Sequence, residues 1–415
     1  MKLYYGWYLV GIAIIANMLL IGIPYSSFGI FVVPVSEELG LSRAEMNTAF
    51  ILLSFGTALT ATAMGRLMDV VSLRLIFLAS TVVTGLCLAV IALSPSLWLS
   101  AAILLFVLSP ALQGAGMIST NVLISRWFSA KRARALTLAM LGLSLGGILM
   151  PPLVGWLVES VGWRNALLVC GLGIVAVLFP LFLLIRNAPG PLDVENATLQ
   201  PAAAPESGQK DAPASIAAIL KLPAFWTIGI SSALTIAVAS SLAVSVVPLA
   251  IGVGVQMVQA ATIMSAGGIG AFAGKLLVAA YADRFNRITL LAGTYGITGL
   301  MIGLLALGET YLVLLATYGL MGFLGGGKVP LYYAALADRV GAASFGTALG
   351  LLAPITAVLT AVAVRFAGEI FDRTGGYDAM LYGFAAIDLL AAGLMLATRF
   401  VRTPPASESE KLQTA

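Results

Sequence analysis

Histidine is absent from the 415 residues, and only 10% of them are charged. The first absence removes the commonest metal ligand and the usual proton shuttle near neutral pH. The second excludes an ordinary water-soluble domain, in which about a quarter of the residues are charged. Cysteine is scarce as well. Cys87 and Cys170 both fall in apolar runs, which suits small core residues and gives neither a disulfide frame nor a metal site. No nucleophile–base pair and no metal-ligand set stands out, so an enzyme is not expected and no cofactor is implied. What is abundant is apolar: 60% of the residues are hydrophobic. Such a chain cannot hide its apolar surface in a soluble core, so it reads as an integral membrane protein. Its net charge of +4 then reflects basic loops on one side of a membrane. It is no sign of a nucleic-acid partner.

The N-terminal apolar run, from about 8 to 35, is too long for the h-region of a cleavable signal and long enough to cross a bilayer, which takes about 20 residues. It is expected to be the first transmembrane helix. Twelve such runs follow one another: 7–34, 45–68, 75–93, 97–124, 135–157, 165–185, 222–251, 258–281, 289–307, 310–336, 346–369 and 376–399. Short joints near Ser94–Ser96 and Gly308–Thr310 force antiparallel neighbours. Sixteen of the 22 lysines and arginines fall on one side of this arrangement and four on the other. The bias predicts both termini in the cytoplasm, and the expected location is multi-pass in the plasma membrane, a bacterial inner membrane. Lys275 and Lys328 are left over, and both lie within spans.

Between Asn187 and Ala214 the sequence turns to proline, alanine and polar residues, as in a flexible linker. Six spans precede it and six follow. The expected organisation is an N-terminal bundle over 1–186, a cytoplasmic linker over 187–221, a C-terminal bundle over 222–401 and a cytoplasmic tail over 402–415. The halves repeat each other. LQGAGMISTNVLISRWF lines up with FLGGGKVPLYYAALADRV, setting Met117 against Lys328. GRLMDVVSLR lines up with AAYADRFNR, setting Asp69 against Asp283. Two repeats of six spans are the pattern of a transporter with its site where the repeats meet near the midplane.

The loop Gly65-Arg66-Leu67-Met68-Asp69-Val70-Val71-Ser72-Leu73-Arg74 resembles the Gly-x-x-x-Asp-x-x-Gly-x-Arg motif of the major facilitator superfamily, with Ser72 in place of the second glycine. The resemblance implies an all-α integral membrane fold: twelve transmembrane helices in two six-helix repeats around a central cavity. It also implies a cytoplasmic gate of charged hydrogen bonds at Asp69 and Arg74 and, in the second half, Asp283 and Arg284. Further stretches are similar to the branch that holds monocarboxylate transporters and oxalate–formate exchangers: YYGWYLV, RWFSAKRARAL, GLSLGGILMPPLVGWLVESVGWRNAL and LKLPAFW. Members of that branch move small carboxylates, some with a proton and some by exchange.

The charges inside the spans carry the chemistry. A lysine in mid-bilayer costs about 2.5–3.5 kcal/mol on insertion scales. Lys275 follows Ala271 and Gly267 on one helical face, a face smooth enough for close packing or a cavity wall. It stands where related transporters carry an arginine that pairs with the substrate carboxylate. Lysine keeps the charge and loses the bidentate fork. Its competing reading is a lysine snorkelling to the interface. Lys328 lies deep in the tenth run, next to Gly325, Gly326 and Gly327, which open space beside it, and to Pro330, which loosens the backbone. Its competing reading is an ion pair with Asp388, the one carboxylate well inside a span.

The expected substrate contacts are Lys275, Lys328, Tyr25, Tyr332, Met117 and Gln113, and the expected proton-coupling groups are Lys275 and Asp388. The resemblance leaves coupling open, because Ala271 stands where proton-coupled members carry an aspartate. The function expected is secondary active transport of small organic anions, monocarboxylates first, proton-coupled and by alternating access, in a monomer. Carboxylate or dicarboxylate exchange is the alternative. A membrane substrate sensor is the alternative from another class, and it would need a soluble signalling domain.

Overall fold

A computed structural model describes residues 4–128, 131–187, 215–281, 285–308, 310–341 and 344–400, and the side chains of 62, 69, 133, 279 and 280 fall outside the description. The described residues are helical with short turns between. By length and composition ten helical stretches can cross a membrane. One of them, Arg134–Leu183, contains two of the expected spans, and Arg43–Val70 supplies a further helix of spanning length. Twelve spans result. The chain divides into two compact units, 1–206 with 256–265, and 207–255 with 266–415.

The first unit begins with α1 (Tyr5–Ile21), a π-helical turn (Gly22–Ser26) and α2 (Phe28–Leu39). The π turn has a local cause. Pro24 has no N–H to give to the helix ladder, and a widened turn accommodates it. The Ser27 hydroxyl then donates to the Gly22 carbonyl at 2.8 Å. Next come α3 (Arg43–Val70) and α4 (Leu73–Leu93). Ser42 and Glu45 close a reciprocal capping box on α3. The fourth span repeats the π device: α5 (Leu97–Ile103), a π turn (Leu104–Leu108), α6 (Ser109–Ala115) and α7 (Met117–Trp127). Pro110 follows that turn, and the Ser109 hydroxyl donates to the Leu104 carbonyl at 2.6 Å.

Helix α8 (Arg132–Leu183) holds the fifth and sixth spans. Where a loop over 158–164 was expected, the chain turns at one residue. Gly162 adopts φ +78°, ψ 159° inside an otherwise helical run, a conformation open to glycine and costly to other residues. Against α1, α8 presents Gly142 and Gly146. A Cβ on either would collide with the Ile14 or Met18 carbonyl, so the two backbones touch in the small-xxx-small manner of membrane helices. At one end of this unit, the Trp163 indole and the Arg164 guanidinium donate to the Glu38 carboxylate at 2.5 and 2.7 Å, and Arg164 also reaches the Ala92 carbonyl. Those bonds tie α2, α4 and α8 and hold the Glu38 carboxyl below the ordinary carboxylate range.

The second unit opens with α9 (Ile216–Lys221), a short helix in the stretch assigned by composition to the linker. Ser215 caps it, and Ile219 is buried. Then come α10 (Pro223–Gly252), α11 (Met257–Tyr281), of which the residues up to Ser265 are counted with the first unit, α12 (Arg287–Leu305), α13 (Tyr311–Gly326), α14 (Lys328–Val340), α15 (Phe345–Thr374) and α16 (Asp378–Ala397). The core of this unit gathers Phe225 and Ile228 of α10, Leu291 and Tyr295 of α12, Leu336 of α14, Leu352 of α15 and Met395 of α16.

Candidate functional site

The tenth span is broken where the lysine stands. Helix α13 ends at Gly326, Gly327 bridges, and α14 starts on Lys328. Pro330 explains the break. It cannot donate to the Gly326 carbonyl, and its ring opposes a continuous helix there. At the third residue of α14 the missing N–H has no helical partner to disappoint. The loosening expected of Pro330 is thus a clean interruption one turn ahead of it. The fourth span breaks at the matching place: Gly116, at φ −101° and ψ −145°, separates α6 from α7, which starts on Met117. The repeat alignment had set Met117 against Lys328.

The three glycines have different surroundings. A Cβ on Gly326 would strike the Ala271 carbonyl, and one on Gly327 would strike Val278. Gly325 alone has open space around it. Two of the glycines therefore seat α13 and α14 on α11. The seam continues upward, with Gly322 on Gly267, Gly270 on the Gly319 carbonyl and Gly274 on Phe323. The smooth face of Gly267 and Ala271 is thus a packing surface. It also sets the lysines. Lys275 lies between Gly274, which meets Phe323, and Val278, which meets Gly327. The two lysines therefore stand on touching helices at nearly the same depth. Lys275 is exposed and Lys328 half-buried.

Around Lys328 the second unit assembles a polar cluster. Its Nζ lies 5.3 Å from the centroid of the Tyr295 ring, within cation–π range. Tyr295 is 1% exposed, and its hydroxyl shares a 3.0 Å hydrogen bond with Ser232 of α10. Asp388 of α16 is also 1% exposed, and its Oδ1 is buried without a hydrogen-bond partner among the described residues. Its Cβ would stand 3.2 Å from a Cβ on Gly299 of α12. Asp388 acts electrostatically on both Lys328 and Tyr295. No ion pair within 4.0 Å joins Asp388 to Lys328 among the described residues. The carboxylate is a neighbouring countercharge. Tyr332, one turn after Lys328, is 6% exposed and belongs to the packed core, against Tyr333 at 5.2 Å between ring centroids.

Two of the three first-unit candidates meet at Thr57 of α3. The Gln113 amide donates to the Thr57 carbonyl, and the Tyr25 hydroxyl donates to Thr57 Oγ1 at 3.4 Å. Met117 is exposed at the head of α7. Sequence reasoning passed over the polar centre of this unit. Asn17 of α1 is fully buried, and its amide donates to the Ala139 carbonyl at 3.2 Å and to Thr120 Oγ1 at 3.4 Å. A lone asparagine inside the first apolar run was the available signal. Tyr295 was passed over too. Its signal was a large ring in the small-residue stretch Ala292–Gly296.

Of the gate candidates, Asp283 and Arg284 lie outside the described residues, as does the side chain of Asp69. The Arg74 backbone N–H donates to Asn187 Oδ1 at 3.0 Å. Ser72, the departure from the motif, caps α4 through the Leu75 N–H, and Asn286 caps α12 the same way in the second unit. Two other arginines are engaged, one with the residue before Asp69 and one three residues after Arg284. Arg126 donates to the Met68 carbonyl at 2.9 Å, and Arg287 makes a two-pronged contact with Asp338 at 2.8 and 2.7 Å.

Residues 12–364 match the sequence profile of the Major Facilitator Superfamily. The chain belongs to that superfamily. It is similar to monocarboxylate transporter 12 of Mus musculus, 28% identical over 324 residues that cover 70% of this chain and 66% of that protein. It is also similar to monocarboxylate transporter 13 of Bos taurus, 24% identical over 302 residues, 71% of this chain and 67% of that protein. The chain spans just under two thirds of the length of the first curated relatives it matches. Among solved structures it resembles a bacterial homolog to the human lysosomal transporter Spinster, in an inward-facing and occupied conformation. The TM-score is 0.75 at 16% identity, over 98% of this chain and 100% of that one. At that identity the likeness speaks for the fold. A superfamily of membrane transporters leaves no place for an enzymatic reading.

Proposed function

We propose that this superfamily member is a secondary transporter of small organic anions, monocarboxylates first, in which Lys275 and Lys328 supply the countercharge. The observation that carries the reading is their placement at nearly one depth on the touching helices α11 and α14. A cation at membrane depth is costly, and a bound carboxylate offsets part of that cost at each lysine. Lysine donors do not fix the orientation of a carboxylate by themselves, and a tyrosine hydroxyl such as that of Tyr332 would serve as a further donor. Tyr25, Gln113 and Met117 are proposed contacts within the first unit. The names of the curated relatives agree with a monocarboxylate, and we take proton-coupled uptake as the working mode. The paired cations also favour a second reading, exchange of one carboxylate or dicarboxylate for another.

The test is counterflow of a panel of radiolabelled carboxylates in proteoliposomes, with Lys328→Gln and Lys328→Arg beside the unaltered protein. Wild-type protein is expected to exchange lactate or pyruvate. Replacing a charge-assisted hydrogen bond by a neutral one should weaken binding by roughly tenfold to a hundredfold in Lys328→Gln. Lys328→Arg should retain binding with altered selectivity. Transport of a cation or a neutral sugar, with no carboxylate competing, overturns the anion assignment. Acceleration by internal anion and not by an inward proton gradient selects the exchanger.

A further inference from the structure

Asp388 is the one carboxylate of the second unit that is buried inside a span among the described residues. The transport reading does not need it for holding an anion. Its surroundings narrow what it does. From α12 it faces Tyr295, from α14 Lys328 acts on it electrostatically and Tyr332 lies beside Tyr295, and α10 contributes the hydroxyl of Ser232 to the same cluster. Of the charged residues of α15, Glu369 binds Arg365 and Arg373, and Lys328 is the charge that acts on Asp388. Lys328 is therefore the cation that faces Asp388. A buried carboxylate with an unpartnered oxygen is tolerated while a countercharge is close. Once that countercharge is engaged elsewhere, burial disfavours the ionised form.

We propose that the substrate carboxylate and Asp388 compete for Lys328, and that Asp388 takes up one proton as the substrate takes the lysine. This inference rests on the placement of Lys328 in the anion site. The charges balance. Before binding, Lys328 and Asp388 sum to zero. Afterwards Lys328 and the bound carboxylate sum to zero, and Asp388 is neutral. The only bond formed is the O–H on Asp388, with its proton drawn from the aqueous phase. One anion and one proton then move together, although Ala271 occupies the position where an aspartate was expected from the resemblance. The unpartnered Oδ1 is the atom available for that proton. Tyr295 acts as a positioning residue. Its ring steadies the ammonium, and its hydroxyl is turned to Ser232 and not to the carboxylate.

The experiment uses the full chain, with radiolabelled pyruvate as the probe. In weakly buffered detergent solution, pyruvate addition should draw about one proton per bound molecule, read with a pH indicator. Asp388→Asn should abolish that uptake and bind pyruvate about threefold to eighteenfold more tightly, the scale of polar contacts between membrane helices. Its affinity should no longer vary with pH. In proteoliposomes it should retain counterflow and lose accumulation driven by a proton gradient. If Asp388→Asn does not fold, the neutral pair Lys328→Gln with Asp388→Asn should restore folding, and the wild-type proton count still decides. Pyruvate binding without proton uptake by the wild-type protein overturns the inference. So does an Asp388→Asn protein whose pyruvate accumulation is still driven by a proton gradient. Undiminished pyruvate binding by Lys328→Gln fails the site reading itself, a result separable from failure at Asp388.

Discussion

The two units break the same helix at the same place and fill the place with different chemistry. In the first, Gly116 interrupts the fourth span, Met117 begins its second part, and the nearby polar centre is the neutral set Asn17, Thr120 and the Ala139 carbonyl. Both donors of the Asn17 amide are used, while Oδ1 of Asn121, next to Thr120 in sequence, is buried without a hydrogen-bond partner among the described residues. In the second, Gly327 interrupts the tenth span, Lys328 begins its second part, and the polar centre is charged, with an unpartnered oxygen on Asp388. A satisfied neutral network holds helices in one arrangement. A charged cluster with an open valence responds to whatever enters it. The backbone device is repeated while the side chains around it diverge, neutral at the first break and charged at the second.

The strongest way to break that comparison is through the glycine seams beneath each unit. Gly142→Leu in the first unit and Gly322→Leu in the second each place a side chain into a backbone that already touches. Neither variant should yield a monodisperse folded protein after detergent extraction, as read by fluorescence-detected size exclusion. Survival of either would show that its seam is looser than the contacts indicate.

A smaller effect separates scaffold from chemistry. Asn17→Leu should lower thermal stability by about 0.6–1.7 kcal/mol, the scale of polar contacts between membrane helices. It should leave the pH dependence of pyruvate binding where it was. A shifted pH profile would mean that the neutral centre also takes part in coupling.

The smallest effect concerns Glu38. Its carboxyl is held below its ordinary range in the folded protein, first by the hydrogen bond from Arg164 and next by that from Trp163. A depressed folded value contributes stability above the unfolded carboxylate range and loses it as pH falls through the folded value. The melting temperature should therefore decline slightly on acidification below the ordinary glutamate range, and Glu38→Gln should flatten that decline. Because Glu38 is at the surface, the shift should be slight. Equal slopes for variant and wild type would remove Glu38 from the acid response.

The twelve spans were legible because apolar length is a property of composition, and the repeat was legible because glycines recur at the same spacing in its two copies. Gly162 was not read as a one-residue turn, since hydropathy averages over it and only its positive φ reveals the reversal. Lys328 and Asp388 stood out as charges in apolar runs. Their neighbours Tyr295 and Ser232 did not, because both are common in packed helices and only tertiary structure brings them to the lysine. The glycines beside Lys328 were read as space around the ammonium. Gly325 alone fits that reading, while Gly326 and Gly327 are closed by α11. Sequence spacing shows which residues share a helical face, and not what that face meets.

The glycine seam between α11 and α13 has one consequence for Lys275 and Lys328. Side chains at a looser contact would let α11 slide or turn past the break in the tenth span. Backbones in direct contact leave no room for that, so the register between the two lysine positions is set by Gly322, Gly326 and Gly327. A side chain added at any of the three would change the depth of one lysine relative to the other without touching either.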